Sequence, residues 1–170
     1  MLINIGYRNL LKRDLFAVAL KPDRAHVKKL RQEAKKKGQL INATSGHKTR
    51  SVIVLTTGRV TLSSLQTTKF KARAEAKDTT LTNIGYENFI NSDLVAVVLV
   101  PDGANVKKLR QDAKKKGQLI NATSGHKTRS VIVLTTGQVV LSSLQKTTFK
   151  ARAREIQNNR PEPDEEDKPF

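Results

Sequence analysis

The sequence lacks cysteine and tryptophan, and aromatic residues make up only 4% of its 170 residues. Without cysteine, neither a disulfide nor a thiolate zinc site can stabilise the fold, which favours a reducing compartment. The three histidines are too scattered to predict a metal site, and no motif predicts a cofactor. Because large side chains are scarce, a small domain of this composition has a limited core. We therefore expect it to associate with neighbouring domains and chains.

Long apolar runs, targeting signals and catalytic motifs are also missing. The apolar stretch at residues 94–100 has the length of a strand and falls short of the roughly 18 residues of a membrane-spanning helix. The first residues show neither the charged start nor the cleavage site of a signal peptide. No nucleophile elbow, carboxylate pair or GxxxxGK phosphate loop is present. These absences predict a cytoplasmic protein that is not an enzyme and has no membrane partner.

Positively charged residues are in large excess in the sequence. The chain carries 32 Lys and Arg against 15 Asp and Glu, a net charge of +17. Residues 155–170 alone hold six acidic residues, two basic residues and three prolines, so residues 1–154 carry a net charge of +21. Such an excess indicates a polyanionic partner, most commonly nucleic acid. We therefore predict DNA as the partner and an association with the nucleoid.

The sequence is an internal duplication. A shift of 79 residues aligns residues 2–74 with 81–153 without a gap, and 57 of the 73 positions are identical. A repeat of this kind defines the domain architecture, so it is considered before the local sequence patterns. We predict two tandem modules, residues 1–76 and 77–154, followed by a disordered acidic tail at residues 155–170.

Local patterns predict an α+β module. Strands are expected at residues 2–5, 15–20, 40–44, 49–56 and 60–65, with the strand at 15–20 mostly buried. A basic helix over residues 27–37 is expected to begin after the N-cap Asp23 and to end at Gly38, and a shorter helix lies near residues 69–74. The second module repeats these signals. The predicted fold is a small, mainly antiparallel sheet with one main basic helix, present twice.

A basic turn is the most specific local feature of each module. Glycine lets the backbone approach a ligand closely, and Lys, Arg and Thr are typical phosphate contacts. An ordinary hairpin tip with solubilising cations explains the pattern equally well. The candidate DNA contacts are Gly46, His47, Lys48, Thr49 and Arg50, repeated as Gly125, His126, Lys127, Thr128 and Arg129.

The predicted helix offers a second group of cations. Six basic residues between positions 28 and 37 face a single acid, Glu33, so pairs of opposite charge cannot neutralise the helix. A solvated helix face is the common explanation of such a run, and a surface for a polyanion is the alternative. The candidate residues are Lys28 and Lys29, with Lys107 and Lys108 in the second module.

The ordered series of motifs resembles the RemA family. The motifs are LINIGY at residues 2–7, the helix lysines, LINATSG at residues 40–46, KTR at 48–50 and VTLSSLQ at 60–66, and the similarity covers nearly all of both modules. RemA proteins are bacterial DNA-binding regulators of extracellular-matrix (biofilm) genes. The resemblance implies a LytTR-like fold, ring-shaped homo-oligomers and a role of the basic turn in DNA binding.

The chain departs from the family pattern at several of its basic positions. Where the family turn reads Gly-Arg-Arg-Thr-Arg, this chain has His47 and Lys48, and it has Leu15 where the family has an arginine. His26 and Asn105 occupy the position of a proline at the helix start. Only arginine offers the rigid fork that contacts phosphate or guanine at two points. DNA binding is thus retained as the prediction, while the promoter specificity of the family is not carried over.

The acidic tail leads to one alternative function. The end of the tail resembles the acidic Pro-Phe tip with which bacterial single-stranded-DNA-binding proteins recruit partners, and the candidate partner contacts are Asp167, Pro169 and Phe170. Single-strand binding needs exposed aromatic rings, and Tyr7, Tyr86 and a few phenylalanines are a poor supply, since some of them belong to the core. A non-enzymatic scaffold that binds an acidic protein is the alternative from another class.

The repeat also predicts how the chain assembles. Because the modules are nearly identical, the interface that joins module one to module two can also join module two to module one of another chain. Such head-to-tail contacts close into a ring or continue as a filament. A ring of whole chains must contain an even number of modules. The differences between the modules, such as Arg8 against Glu87 and Lys21 against Val100, are expected at the interfaces or on one face.

Overall fold

The computed structural model describes residues 1–76 and 80–158. Module one contains strands β1 (Leu2–Asn4) and β2 (Leu10–Lys12), a 3₁₀ turn (Arg13–Leu15), β3 (Phe16–Leu20), helix α1 (Ala25–Lys36), β4 (Leu40–Ala43), β5 (Ser51–Leu55), β6 (Val60–Ser63) and α2 (Thr67–Glu75). Module two repeats this order with β7 (Leu81–Asn83), β8 (Phe89–Asn91), a 3₁₀ turn (Ser92–Leu94), β9 (Val95–Leu99), α3 (Ala104–Lys115), β10 (Leu119–Asn121), β11 (Ser130–Leu134), β12 (Val139–Ser142) and α4 (Lys146–Asn158).

The predicted α+β class is confirmed, and most elements lie where the patterns place them. Gly38 ends α1 with φ +69°, and the N–H of Gln39 donates to the carbonyl of Ala34 at 2.8 Å, as in a helix that closes on a left-handed residue. The predicted N-cap was wrong. Arg24 and Gly103 are the N-caps of α1 and α3, and neither makes a side-chain cap hydrogen bond. The strand β2 was not predicted, because it has only three residues and follows a loop.

The end of the chain lies partly outside the described residues. Helix α4 runs to Asn158 and therefore includes residues 155–158 of the predicted tail. The candidate partner contacts Asp167, Pro169 and Phe170 are not among the described residues. None of the helices in residues 1–76 and 80–158 is both long enough and apolar enough to cross a membrane.

The strands of the described residues form three sheets, and one of these sheets spans both modules. The six-stranded sheet has the order β4-β6-β5-β3-β8-β7, the four-stranded sheet has the order β10-β12-β11-β9, and β1 pairs with β2 alone. Neighbouring strands are antiparallel except β4–β6 and β10–β12, which are parallel. The N-terminal hairpin of module two, β7–β8, thus extends the sheet of module one rather than that of its own module.

The junction between the modules is built on the edge of β3. Val18 lies opposite Ile90, and Ala19 opposite Phe89, in the antiparallel register of β3 and β8. The side-chain amide of Asn91 donates to the carbonyl of Phe16 at 3.1 Å. Beyond the ladder, Lys21 and Glu87 form a salt bridge of 2.7 Å. Two positions that differ between the modules therefore meet at this interface, as the repeat predicts.

The apolar core continues from one module into the other. Val27 and Ala34 of α1 pack on one face of the module-one sheet, in a cluster that also contains Ile90 and Phe149 of module two. On the opposite face, Phe70 of α2 packs with the β1–β2 hairpin and the other side of β3. Sharing a core in this way compensates for the small supply of large side chains in each module.

The strand β9 of module two lacks the cover that β3 receives. All five residues of β3 are buried, whereas Ala96 and Val97 are exposed, with Val97 at 48%. The expectation that both copies of this strand are mostly buried was therefore wrong for the second copy. The two copies have similar sequences, so the difference arises because β8 covers β3 and no described strand covers the corresponding edge of β9.

A buried serine joins the hairpin of each module to the end of its sheet. The hydroxyl of Ser63 donates to the carbonyl of Ile5 at 2.6 Å and accepts from the N–H of Leu65 at 3.0 Å. We expect Ser63→Ala to lower the free energy of unfolding by roughly 1–3 kcal/mol, because both backbone groups lose a buried partner. Urea denaturation measures the change. Ser64→Ala is the matched control and should stay within about 0.5 kcal/mol of the wild type; equal midpoints for the two variants would contradict the assignment.

Candidate nucleic-acid interface

The basic turn of module one has a defined backbone shape. Thr44 is buried, and both its N–H and its hydroxyl donate to Oδ1 of Asn42, at 3.1 and 2.6 Å. The N–H of His47 donates to the carbonyl of Thr44 at 3.0 Å, and Gly46 between them has φ +79°. These bonds close a tight turn at the end of β4, which directs the segment that follows into solvent.

The cations of the turn are exposed and form no ion pair with residues 1–76 or 80–158. The backbone N–H of Arg50 donates to the carbonyl of Ser63 at 2.8 Å, so the chain is already held beside β6 at this residue. The side chains of Lys48 and Arg50 are exposed. The salt bridges Arg13–Asp14, Lys21–Glu87 and Lys71–Glu75 do not involve the turn. The turn therefore presents two unneutralised positive charges from a fixed backbone.

A second loop, residues 6–9, lies against the turn. Asn9 donates from its side-chain amide to the carbonyl of Ala43 at 2.9 Å and to the hydroxyl of Ser45 at 3.0 Å. The ring of Tyr7 stacks on the ring of His47, with 3.8 Å between the ring centres and planes 1° apart. The loop and the turn consequently form one surface, although they are far apart in the sequence.

Module two builds the same surface. Tyr86 stacks on His126 at 4.0 Å with planes 4° apart, and Asn88 donates to the carbonyl of Ala122 and the hydroxyl of Ser124 at 3.1 and 2.9 Å. The hydrogen bonds of the turn recur between Thr123 and Asn121 at 3.0 and 2.7 Å. The predicted residues Gly125, His126, Lys127, Thr128 and Arg129 thus occupy positions equivalent to Gly46, His47, Lys48, Thr49 and Arg50.

The turn of module one also borders the junction between the modules. A cavity of about 420 Å³ is lined by Lys48, Thr49 and Arg50 together with Lys21 and Glu87. The salt bridge of the junction therefore lies beside the basic turn. The carboxylate of Glu87 is paired with Lys21. Arg8, at the equivalent position of module one, adds a cation next to Tyr7 in the sequence. The residue after the tyrosine therefore differs in charge between the two modules.

The helix lysines belong to a different part of the molecule. Lys29 and Lys107 line a groove of about 760 Å³ between α1 and α3, along with other cations of both helices. Lys28 and Lys108 are exposed but do not line it. This groove and the cavity at the turn have no lining residue in common. The structure therefore divides the predicted contacts into two separate groups, the turns and the helices.

The tyrosines are the residues of this surface that sequence reasoning missed. They were expected to belong in part to the core, but Tyr7 is 56% exposed and Tyr86 47% exposed. Four phenylalanines, Phe16, Phe70, Phe89 and Phe149, are instead buried. The available signal was the Gly-Tyr pair in both copies, because a glycine before an aromatic residue at the end of a short strand indicates a turn.

Comparison with known proteins places this arrangement in a family. The model of the family described as "Extracellular matrix regulatory protein A-like", or RemA-like, matches residues 2–74 and again residues 81–153. The chain belongs to the RemA-like family. The resemblance noted in the sequence is therefore confirmed, and it holds separately for each RemA-like module. The description of the family is that of a regulatory protein.

Individual relatives match about one module at a time. Proteins named "Putative regulatory protein" from Desulfosudis oleivorans and Maridesulfovibrio salexigens are 42% and 40% identical over 86 and 82 residues. These alignments cover 51% and 47% of this chain but 89% and 95% of the relatives. A relative from Geobacillus thermodenitrificans is 41% identical over 70 residues, covering 41% of this chain and 80% of its own length. The duplication thus distinguishes this chain from these relatives.

Proposed function

We propose that this chain is a non-enzymatic DNA-binding regulator that contacts the phosphate backbone of duplex DNA through its two basic turns. The observation that carries the proposal is the exposed, unneutralised pair Lys48 and Arg50, with its copy Lys127 and Arg129, on turns of fixed shape. Membership of a regulatory family supports the proposal, as does the net charge of +21 on residues 1–154. Contacts to phosphates position a protein on DNA without reading its sequence.

The family description extends the proposal to the regulated process. Regulation of extracellular-matrix genes, as in biofilm formation, is the role that the RemA-like description suggests for this chain. The lysine that replaces an arginine in each turn binds phosphate as a point charge, and neither this lysine nor the neighbouring histidine has the two-point fork. We therefore propose binding of low sequence specificity, in the cytoplasm and in association with the nucleoid.

We further propose that the chain works as a head-to-tail homo-oligomer. The contact between chains is expected to repeat the junction between the modules, in which β8 pairs with the edge of β3. The copy of β8 is β2, and Leu10 is 58% exposed where its counterpart Phe89 is 3% exposed. The copy of β3 is β9, where Val97 is 48% exposed and its counterpart Val18 is fully buried. Within the described residues, each chain therefore has an exposed hairpin and an exposed strand edge that match each other.

The repeat also predicts the register of the contact between chains. A shift of the β3–β8 register by 79 residues places Val97 opposite Leu11 and Val98 opposite Leu10 of the next chain. Within the chain, the N–H of Lys21 donates to Oδ1 of Asn88 at 2.9 Å. The copies of these residues are Val100 and Asn9, so the same hydrogen bond can form between chains. Strand addition of this kind supplies main-chain hydrogen bonds and buries apolar side chains.

The two kinds of junction differ in charge. Lys21 and Glu87 form a salt bridge within the chain, whereas the junction between chains brings together Val100 and Arg8. Because the interface is heterologous, repeated addition of chains gives a closed ring with an even number of modules or an open filament. Either assembly multiplies the basic turns and raises the affinity for a long polyanion through avidity.

A salt titration tests the proposed function. We expect the intact chain to bind duplex DNA with an affinity that falls steeply as salt rises, by about 0.9 log unit per log unit of salt for each phosphate contact. Fluorescence anisotropy of labelled duplexes of unrelated sequence, between low and moderate salt, measures the slope. A flat dependence on salt, or no binding at low salt, would remove DNA from the proposal and favour a scaffold that binds an acidic protein.

A further inference from the structure

The two stacked Tyr–His pairs are a surface feature that phosphate binding does not explain. Phosphate contacts need cations and hydrogen-bond donors, whereas Tyr7 and Tyr86 present exposed aromatic rings. Their partners His47 and His126 belong to the basic turns, so each pair lies between the loop and the cations. Since the buried phenylalanines fill the core, the tyrosines are not needed there.

The backbone that carries each tyrosine is held in an unfavourable conformation. Tyr7 and Arg8 have φ of 50° and 65°, and their copies Tyr86 and Glu87 have φ of 54° and 60°. Residues with a Cβ rarely occupy this region, and such strain persists where surrounding bonds impose it. Here the loop closes through the N–H of Asn9 to the carbonyl of Gly6 at 2.9 Å, and the Asn9 side chain ties it to the turn. The rings are thus fixed in place before any ligand arrives.

We propose that each Tyr–His pair is a platform on which an unpaired nucleobase stacks, while the neighbouring cations hold the phosphates of the same strand. The inference rests on the proposed function, because the same turns would then hold the phosphates of an unpaired strand as well as those of a duplex. An aromatic face accepts any base, and a base held in a duplex stack cannot reach it. Stacking on Tyr also leaves Lys48 and Arg50 in module one, or Lys127 and Arg129 in module two, free for the backbone.

The two platforms are not equivalent. Arg8 follows Tyr7, whereas Glu87 follows Tyr86 and pairs with Lys21. A cation beside the ring attracts the phosphates that flank a stacked base, and a carboxylate does not.

The composition of the chain provides a direct probe. There is no tryptophan, and the only two tyrosines are Tyr7 and Tyr86, so the intrinsic tyrosine fluorescence of the intact protein comes from the two platforms alone. The experiment titrates the full chain with an oligothymidylate and with an abasic oligonucleotide of the same length. The two ligands carry the same phosphates and differ in the presence of bases. Labelled duplex DNA is measured in parallel at the same salt concentration.

We expect the oligothymidylate to quench tyrosine fluorescence and to bind more tightly than the abasic strand. Tyr7→Ala with Tyr86→Ala should lower the affinity for oligothymidylate by about 10-fold or more, the effect of removing a base–aromatic stack. The affinity for the abasic strand should not change. Tyr7→Phe with Tyr86→Phe retains the rings and should keep the preference for bases. Circular dichroism of each variant verifies the fold, and the wild-type comparison of the two strands tests the platform even if the alanine variant unfolds.

Two results would overturn the platform. Equal affinity of the wild type for both strands without quenching would show that bases do not contact the rings. An equal loss of affinity for both strands in a folded alanine variant would assign the tyrosines a structural role. In both cases duplex and abasic DNA still bind, so the proposed function survives. Absence of binding to every DNA ligand would instead overturn the proposed function itself.

Discussion

Replacing Lys48, Arg50, Lys127 and Arg129 with alanine should lower the affinity for duplex DNA on the order of 100-fold at moderate salt. The salt slope should fall by about 0.9 for each phosphate that the variant no longer binds. The substitutions remove exposed side chains, and the backbone hydrogen bonds of Arg50 and Arg129 to Ser63 and Ser142 do not depend on the side chain. Fold and assembly should therefore persist. Anisotropy titrations at several salt concentrations give both quantities.

The matched comparison removes the same charge elsewhere. Alanine at Lys28, Lys29, Lys107 and Lys108 eliminates four cations of α1 and α3, which do not line the cavity at the turn. This variant should lose much less affinity than the turn variant, because only the general attraction of the positive surface is reduced. If the helix variant is the weaker binder, the groove between the helices is the main DNA surface. Dissociation of the turn variant into smaller species would identify the arginines as interface residues.

Val97→Glu should dissociate the assembly and leave the single chain folded. Val97 is 48% exposed in the isolated chain, so a charge there is tolerated. In the proposed assembly it packs opposite Leu11 of the next chain, as Val18 packs opposite Ile90. Burying an unpaired carboxylate costs several kcal/mol, which corresponds to a rise in the dissociation constant of about 100-fold or more. Sedimentation velocity across a dilution series measures the change in mass.

Two further variants test the same interface, one on its other side and one as a control for net charge. Leu10→Glu places the charge on the opposite partner of the same interface and should have the same effect, because Leu10 is 58% exposed in the isolated chain. Gln32→Glu alters the net charge equally on an exposed position of α1 and should leave the mass unchanged. A wild-type chain that remains monomeric at micromolar concentration, or a Val97→Glu variant that assembles normally, would disprove the proposed contact.

The local features of the molecule could be predicted because they depend on neighbouring residues. Gly38 and Gly117 end their helices with φ +69°, as a glycine after a helical run predicts. The turn at Gly46 follows from the sequence Asn-Ala-Thr-Ser-Gly at residues 42–46, in which Asn and Thr form hydrogen bonds over two or three residues. The wrong N-cap at Asp23 also came from a local pattern, because an Asp before a helix is a frequent cap. In the structure the N-cap of α1 is the next residue, Arg24.

The candidate site could be predicted only in part. Its cations were apparent from composition and from the repeated turn. The contact of Tyr7 with His47 joins residues 40 positions apart and depends on how Asn9 anchors the loop to the turn. No periodicity encodes such a contact, because it arises when two loops meet at the end of a sheet. The separation of the helix lysines from the turns was likewise decided by packing.

The sequence by itself determined the duplication, the net charge of the modules, the α+β class and the membership of the RemA-like family, because each is a property of composition or of the order of motifs. Only the tertiary structure decided which strands pair across the modules. Val18 and Ile90 are 72 residues apart, and their pairing depends on which sheet edge is free when the hairpin folds. Leu10 and Val97 are exposed, whereas Phe89 and Val18 at the equivalent positions of the other module are buried. Burial here is set by the presence of a neighbouring module, which is a property of the assembled structure and not of the residues themselves.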